Sequence, residues 1–100
     1  MQASLASDVS ASRIAAISQK YRGRELALFG SVARGEADLN SDVDLYVELE
    51  GDCHPGLHWF DLEEELEAVF GRRVDLSRKS LLKPHVHREA VRDAVVLYGG

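Results

Sequence analysis

Residues 42–49, DVDLYVEL, alternate without interruption between an apolar set (Val43, Leu45, Val47, Leu49) and a polar one (Asp42, Asp44, Tyr46, Glu48). Successive side chains of a β-strand point to opposite faces, so the segment predicts a strand that buries one face and presents carboxylates on the other. A strand of this kind commits the chain to a sheet with an apolar layer against one side. It also raises a question of charge, because two carboxylates ordered on one strand face repel each other unless something positive lies between them.

The flanking segments supply the rest of a small α/β arrangement. Ala11 to Tyr21 carries Ile14, Ile17 and Tyr21 at helical spacing, with Gly23 as its stop. Glu25 to Phe29 (ELALF) is too short and too apolar for a helix and reads as a central strand. After a Gly/Pro-containing loop around Gly51 to Gly56, HWFDLEEELEAVFG places Trp59, Leu62, Leu66 and Val69 on one helical stripe. Glu63, Glu64 and Glu67 then turn outward, and Gly71 closes the helix. Arg72 to Ser77 (RRVDLS) is a third strand, Pro84 starts a last helix running to about Arg92, and the terminal AVVLY is an edge strand. The alternation predicts an α/β (α+β) fold in which a short mixed sheet is packed with helices.

One hundred residues suffice for one domain over residues 1–100 with a modest core, and leave no room for a second. An acceptor too large for that domain must bring its own binding surface. The leading MQASLASDVSASR has neither a basic stretch followed by an apolar run nor anything of membrane-spanning length, which predicts a cytoplasmic protein with no membrane partner. Cys53 is the sole cysteine, so no internal disulfide forms, and it reads as an incidental loop residue. Charge is unevenly placed: Gly35 to Gly71 holds twelve acids and no Lys or Arg, whereas Arg72 to Arg92 holds seven basic residues. Such blocks are ordinarily solvated surface, although an acidic block can hold cations and a basic one can face phosphate or an acidic partner.

Three features carry chemistry. Asp42 and Asp44, two apart on a strand, project together with Cα atoms about 6–7 Å apart. Their hard oxygens suit Mg²⁺ or Mn²⁺, and Mg²⁺ takes only one or two carboxylates while phosphates and water complete its shell. Gly30-Ser31 follows directly on the first strand, where glycine admits a phosphate to the backbone, the serine hydroxyl donates, and a helix start favours negative charge. Asp75, between Val74 and Leu76, points away from their apolar face, and it is the only acid between Arg72 and Arg88. If the third strand lies beside the second, the three carboxylates share one surface.

With these residues in view, GS, ten residues, then DVD resembles the signature of the DNA polymerase β-like nucleotidyltransferase superfamily. The wider GSVARGEADLNSDVDLYVE followed by ELEAVFGRRVDL is similar to its minimal branch, the MNT-domain proteins. The resemblance runs from the first helix to AVVLYG. It implies that Gly30 and Ser31 position a nucleoside triphosphate, that Asp42 and Asp44 bind the metals, and that Asp75 completes the triad. It further implies transfer of AMP from ATP to a hydroxyl, a tyrosine in characterised members, of a HEPN-domain toxin, with this chain as the antitoxin in a hetero-oligomer and no direct nucleic-acid binding. Two other readings stay open: a contact inhibitor whose nucleotide site is vestigial, and transfer to a small molecule or RNA.

Several features resist assignment from sequence. Arg34 either contacts phosphate or pairs with Glu36, because a short helix fixes no direction. Arg72, Arg73, Arg78 and Lys79 serve ATP, a partner or solubility. The run from Asp38 through Asn40 to Asp42 resembles a calcium loop but has Val43 where glycine is required and Leu49 where glutamate is required. His85 and His87 are two apart on a helix and diverge, so with His54 and His58 they read as surface histidines.

Overall fold

The computed structural model describes residues 11–36, 38, 40–51, 56 and 58–99. The expectations for Cys53 and His54 lie outside the described residues. Helix α1 (Ala11–Lys20) leads into strand β1 (Gly23–Phe29), followed at once by the single turn α2 (Gly30–Ala33) and strand β2 (Val43–Leu49). Helix α3 (His58–Phe70) connects β2 to β3 (Val74–Arg78). A 3₁₀ turn at Lys79–Leu81, helix α4 (Pro84–Asp93) and strand β4 (Val95–Gly99) complete the described chain. No helix among the described residues is long and apolar enough to cross a membrane.

The four strands form one mixed sheet in the order β3-β2-β1-β4, with β1 antiparallel to β2 and β4, and β2 parallel to β3. The parallel pair follows from the intervening helix, since a parallel return needs a crossover long enough to span the sheet. Helices α1 and α3 lie on one face. Ile14 and Ile17 from α1 and Leu62, Leu66 and Phe70 from α3 close over Leu26, Leu28, Val43, Leu45, Val47, Leu49, Val74 and Leu76. Each fully buried leucine of this layer, such as Leu45 or Leu66, contributes about 1.5–3 kcal/mol relative to exposure.

The buried stripe of α3 is Leu62, Leu66 and Phe70, spaced four apart, with Trp59 and Val69 half-buried on its flanks. Gly71 does close that helix: it takes φ 69° and donates its N–H to the Glu67 carbonyl at 2.8 Å. At the end of α1 the expectation needs correcting. Arg22, not Gly23, takes the left-handed conformation with φ 60°, and Gly23 is already the first residue of β1. The outward turn of all three glutamates is also corrected. Glu64 is exposed, but Glu63 is half-buried, with its carboxyl pKa raised chiefly by burial and the Leu76 backbone opposing, and the Glu67 carboxylate accepts the Val74 N–H at 3.1 Å. Val74 stands on the edge strand β3, so α3 supplies its N–H with a partner that, among the described residues, no further strand provides. Glu67→Ala should lower stability by about 1 kcal/mol while Glu67→Gln, which keeps an acceptor, stays near wild type, as urea unfolding would measure.

The opposite face of the sheet is not simply solvated. Tyr46, expected beside the carboxylates on the open face, is 2% exposed. It is buried with Ala27 and Ala90, and Phe29, Leu82 and Ala94 pack around them, so α4 covers the middle of this face. Lys79 pairs with Glu25 at 2.9 Å and lies over the Tyr46 ring, 5.3 Å from its centre. Both contacts of the lysine lie within the fold, one to β1 and one to β2. The end of this face beyond Phe29 and Tyr46 is left open, and Asp44 and Asp75 lie there.

Candidate active site

Strand register assembles the free end. Phe29 of β1 stands opposite Asp44 of β2, and Asp44 stands opposite Asp75 of β3. Neighbouring strands lie about 4.8 Å apart, so the two aspartates are adjacent in a row across the sheet. Asp42 precedes β2 by one residue and is exposed, as is Asp75, whereas Asp44 is half-buried between them. The proton affinity of Asp44 is raised, first by burial and then by the negative charges of Asp75 and Asp42, with Arg34 opposing.

The turn that delivers Asp42 is built from neighbouring polar side chains. The Asp38 carboxylate accepts the Asn40 N–H at 2.9 Å and the Ser41 hydroxyl at 3.2 Å, while the Ser41 hydroxyl accepts the Asp38 N–H at 3.0 Å. The Asn40 N–H and the Ser41 hydroxyl hold the Asp38 pKa below the usual carboxylate value. The Arg72 guanidinium donates to the Asp38 carbonyl, which ties this turn to the start of β3. What resembled a calcium loop is a self-capped turn.

Gly30 brings α2 against the row. It takes φ 75°, and a Cβ built there would overlap the Asp44 carboxylate. Only glycine fits, for both conformational and spatial reasons. Ser31 follows, half-buried in the same turn, where the first N–H groups of a helix have no acceptor within it. Arg34 ends the turn and resolves its two sequence options in part: Nε pairs with Glu36 at 2.9 Å, and one terminal nitrogen pairs with Asp93 of α4 at 2.9 Å. Its charge still reaches Asp44.

Gly30, Ser31, Asp42, Asp44 and Asp75 therefore gather at one end of one face, with Arg34 at its border. Among the described residues no three carboxylate, imidazole or thiol groups converge tightly enough to cage a metal ion. The donor set nevertheless fits Mg²⁺, which needs only one or two carboxylates when phosphate oxygens and water complete its shell. Burial does most to raise the pKa of Asp44, and the smaller share due to the charges of Asp75 and Asp42 is what a bound cation would relieve. His85 and His87 sit on α4, and His58 lies beside Asp61 at 3.5 Å at the start of α3. Sequence reasoning passed over Asp93, whose signal was an acid on the last turn of a helix, and Glu63 and Glu67, which looked like an ordinary solvated stripe.

Comparison with known proteins identifies the family and the fold. The nucleotidyltransferase domain model matches residues 14–97. The chain is 43% identical over 77 residues to the protein adenylyltransferase MntA of Thermococcus cleftensis, covering 77% of each. A solved structure described as a minimal nucleotidyltransferase superposes with a TM-score of 0.71 at 32% identity, covering 84% of both chains. Two toxin–antitoxin complexes share the fold at lower identity. One, crystallised with AMP-PNP, has a TM-score of 0.73 at 21% identity and covers 92% of this chain and 75% of its counterpart. The other, a tri-AMPylated HEPN toxin with its MNT antitoxin from Shewanella oneidensis, has a TM-score of 0.64 at 18% identity and covers 90% and 70%.

Proposed function

This chain belongs to the nucleotidyltransferase domain family, in its minimal branch, and from that premise we propose that it transfers AMP from ATP to a hydroxyl of a HEPN-domain toxin, acting as that toxin's antitoxin. The reading takes residues 1–100 as one domain whose acceptor arrives on another protein. The observation that carries it is the packing of Gly30 against Asp44 with Asp75 in register beside it, which brings the Gly30-Ser31 turn directly against paired carboxylates. The names of the relatives support protein as the acceptor class and a HEPN toxin as the partner.

In the proposed reaction the acceptor oxygen attacks the α-phosphorus of ATP in line with the departing pyrophosphate. A new P–O bond forms as the α–β bridging bond breaks. Gly30 and Ser31 hold the triphosphate through backbone N–H groups and the serine hydroxyl, and Arg34 faces it from the end of α2. Asp42 and Asp44 are the residues that would hold a divalent cation, with Asp75 as the third. When bound, that cation offsets the charge on the phosphates and lowers the pKa of the acceptor hydroxyl. Asp75, exposed at the end of the row, would also take the acceptor's proton in this reading. The chain contributes mainly position and charge, which suits a reaction whose covalent chemistry lies in the substrates.

Incubating the purified chain with its HEPN-domain partner, ATP and Mg²⁺, and weighing the intact partner, tests this directly. The expected result is a mass increase of one AMP for each transfer, absent without ATP. Neutralisation of the toxin with its mass unchanged would sink the enzymatic reading and leave inhibition by contact.

A further inference from the structure

We infer that Asp93, the last residue of α4, is a positioning residue that fixes the Arg34 guanidinium beside the nucleotide loop and so couples α4 to ATP binding; this rests on the proposed nucleotidyl-transfer reading. Arg34 has two carboxylate partners of different kinds. Glu36 is two residues further along the same short loop and moves with it, so that pair cannot fix Arg34 relative to the sheet. Asp93 is 59 residues away in sequence and belongs to a helix seated in the core through Ala90, which packs on Ala27 and Tyr46. Val32 and Ala33 seat the backbone of α2 on the core, and the Arg34–Asp93 pair is the contact that ties the guanidinium itself to α4.

The placement of Asp93 is unfavourable for the helix alone. A carboxylate at the last turn faces the negative end of the helix macrodipole, where a basic residue would be preferred. Its side chain is only 11% exposed, and both oxygens are engaged: Oδ1 by Arg92 Nε at 3.2 Å and Oδ2 by Arg34 at 2.9 Å. Arg92 is adjacent in sequence and 69% exposed, so it supplies charge without anchoring anything distant. What the acid gains by standing there is the cross-link to α2. That turn also contains Gly30, so the contact bears on the backbone that meets the triphosphate, and the charge of Arg34 is felt at Asp44.

A double-mutant cycle on ATP affinity distinguishes positioning from general support of the fold. Binding of ATP with Mg²⁺ is measured by calorimetric titration for the intact wild-type chain, Asp93→Asn, Arg34→Ala and the double variant. Asp93→Asn should weaken binding roughly 3- to 10-fold, and the double variant should bind no more weakly than Arg34→Ala alone, because the acid acts through the arginine. Asp93→Glu, which keeps the carboxylate, should stay within about threefold of wild type. In transfer assays Asp93→Asn should raise the KM for ATP and leave kcat unchanged. Unaltered affinity in Asp93→Asn, or an equal further loss when it is added to Arg34→Ala, would overturn the inference while the transfer reading stands. If the wild-type chain has no affinity for ATP, both fall. Should Asp93→Asn fail to fold, Asp93→Ser in the same cycle decides by the same criterion.

Discussion

Asp44→Asn is expected to lower AMP transfer by about 10²–10³-fold, the scale on which removing one preorganised electrostatic group acts, and to raise thermal stability at neutral pH. Both effects have one origin. Burial and the neighbouring charges of Asp75 and Asp42 raise the pKa of Asp44 in the folded chain. Folding therefore favours its protonated form. The contribution of this residue to stability is largest below the ordinary aspartate range and falls as pH rises through the raised value. At neutral pH the wild-type chain carries an ordered, half-buried carboxylate among like charges, which asparagine does not. Melting curves from neutral to acid pH should show the variant more stable at pH 7, with the difference closing as Asp44 becomes protonated. Added Mg²⁺ should stabilise the wild type more than the variant. A variant that melts earlier at pH 7, or a difference that ignores pH, would contradict this origin, and undiminished label transfer from α-labelled ATP would remove Asp44 from the reaction.

Gly30→Ala should have the second largest effect, because two independent penalties meet at one atom. A non-glycine residue at φ 75° costs about 1–3 kcal/mol. The new methyl group would also overlap the Asp44 carboxylate, so either α2 or Asp44 must move from its place. Loss of stability and loss of transfer should therefore appear together. Gly35→Ala is the matched control: Gly35 takes φ 74° in the same segment, but among the described residues nothing lies within 4 Å of its would-be Cβ. It should lose stability by about 1 kcal/mol and keep its transfer rate. Equal rates for Gly30→Ala and Gly35→Ala would mean that the approach of α2 to Asp44 has no catalytic consequence.

The contrast between these glycines shows where sequence stops being informative. Alternation in DVDLYVEL was enough to place Val43, Leu45 and Val47 in the core, because period two has one physical meaning. Gly71 could be read as a helix stop for the same kind of local reason. Strand order could not, since no local pattern says whether β3 joins β2 or β1, and the pairing of Asp44 with Asp75 depends on that order alone. Tyr46 eluded the reading because a helix more than thirty-five residues later covers it. Glu63 and Glu67 look identical to Glu64 in sequence, and only the neighbouring strand edge separates them. Arg34 was ambiguous for a related reason: its nearer partner is visible in the motif, whereas its distant one lies on α4.

The glutamates along α3 also govern how this molecule can meet others through its backbone. The Glu67 carboxylate occupies the Val74 donor on one margin of the sheet, whereas β4, among the described residues, pairs with β1 alone. An incoming strand seeking backbone partners meets a donor already engaged by a side chain along β3 and no such obstacle along β4, so the two margins are unequal as places for another chain to add.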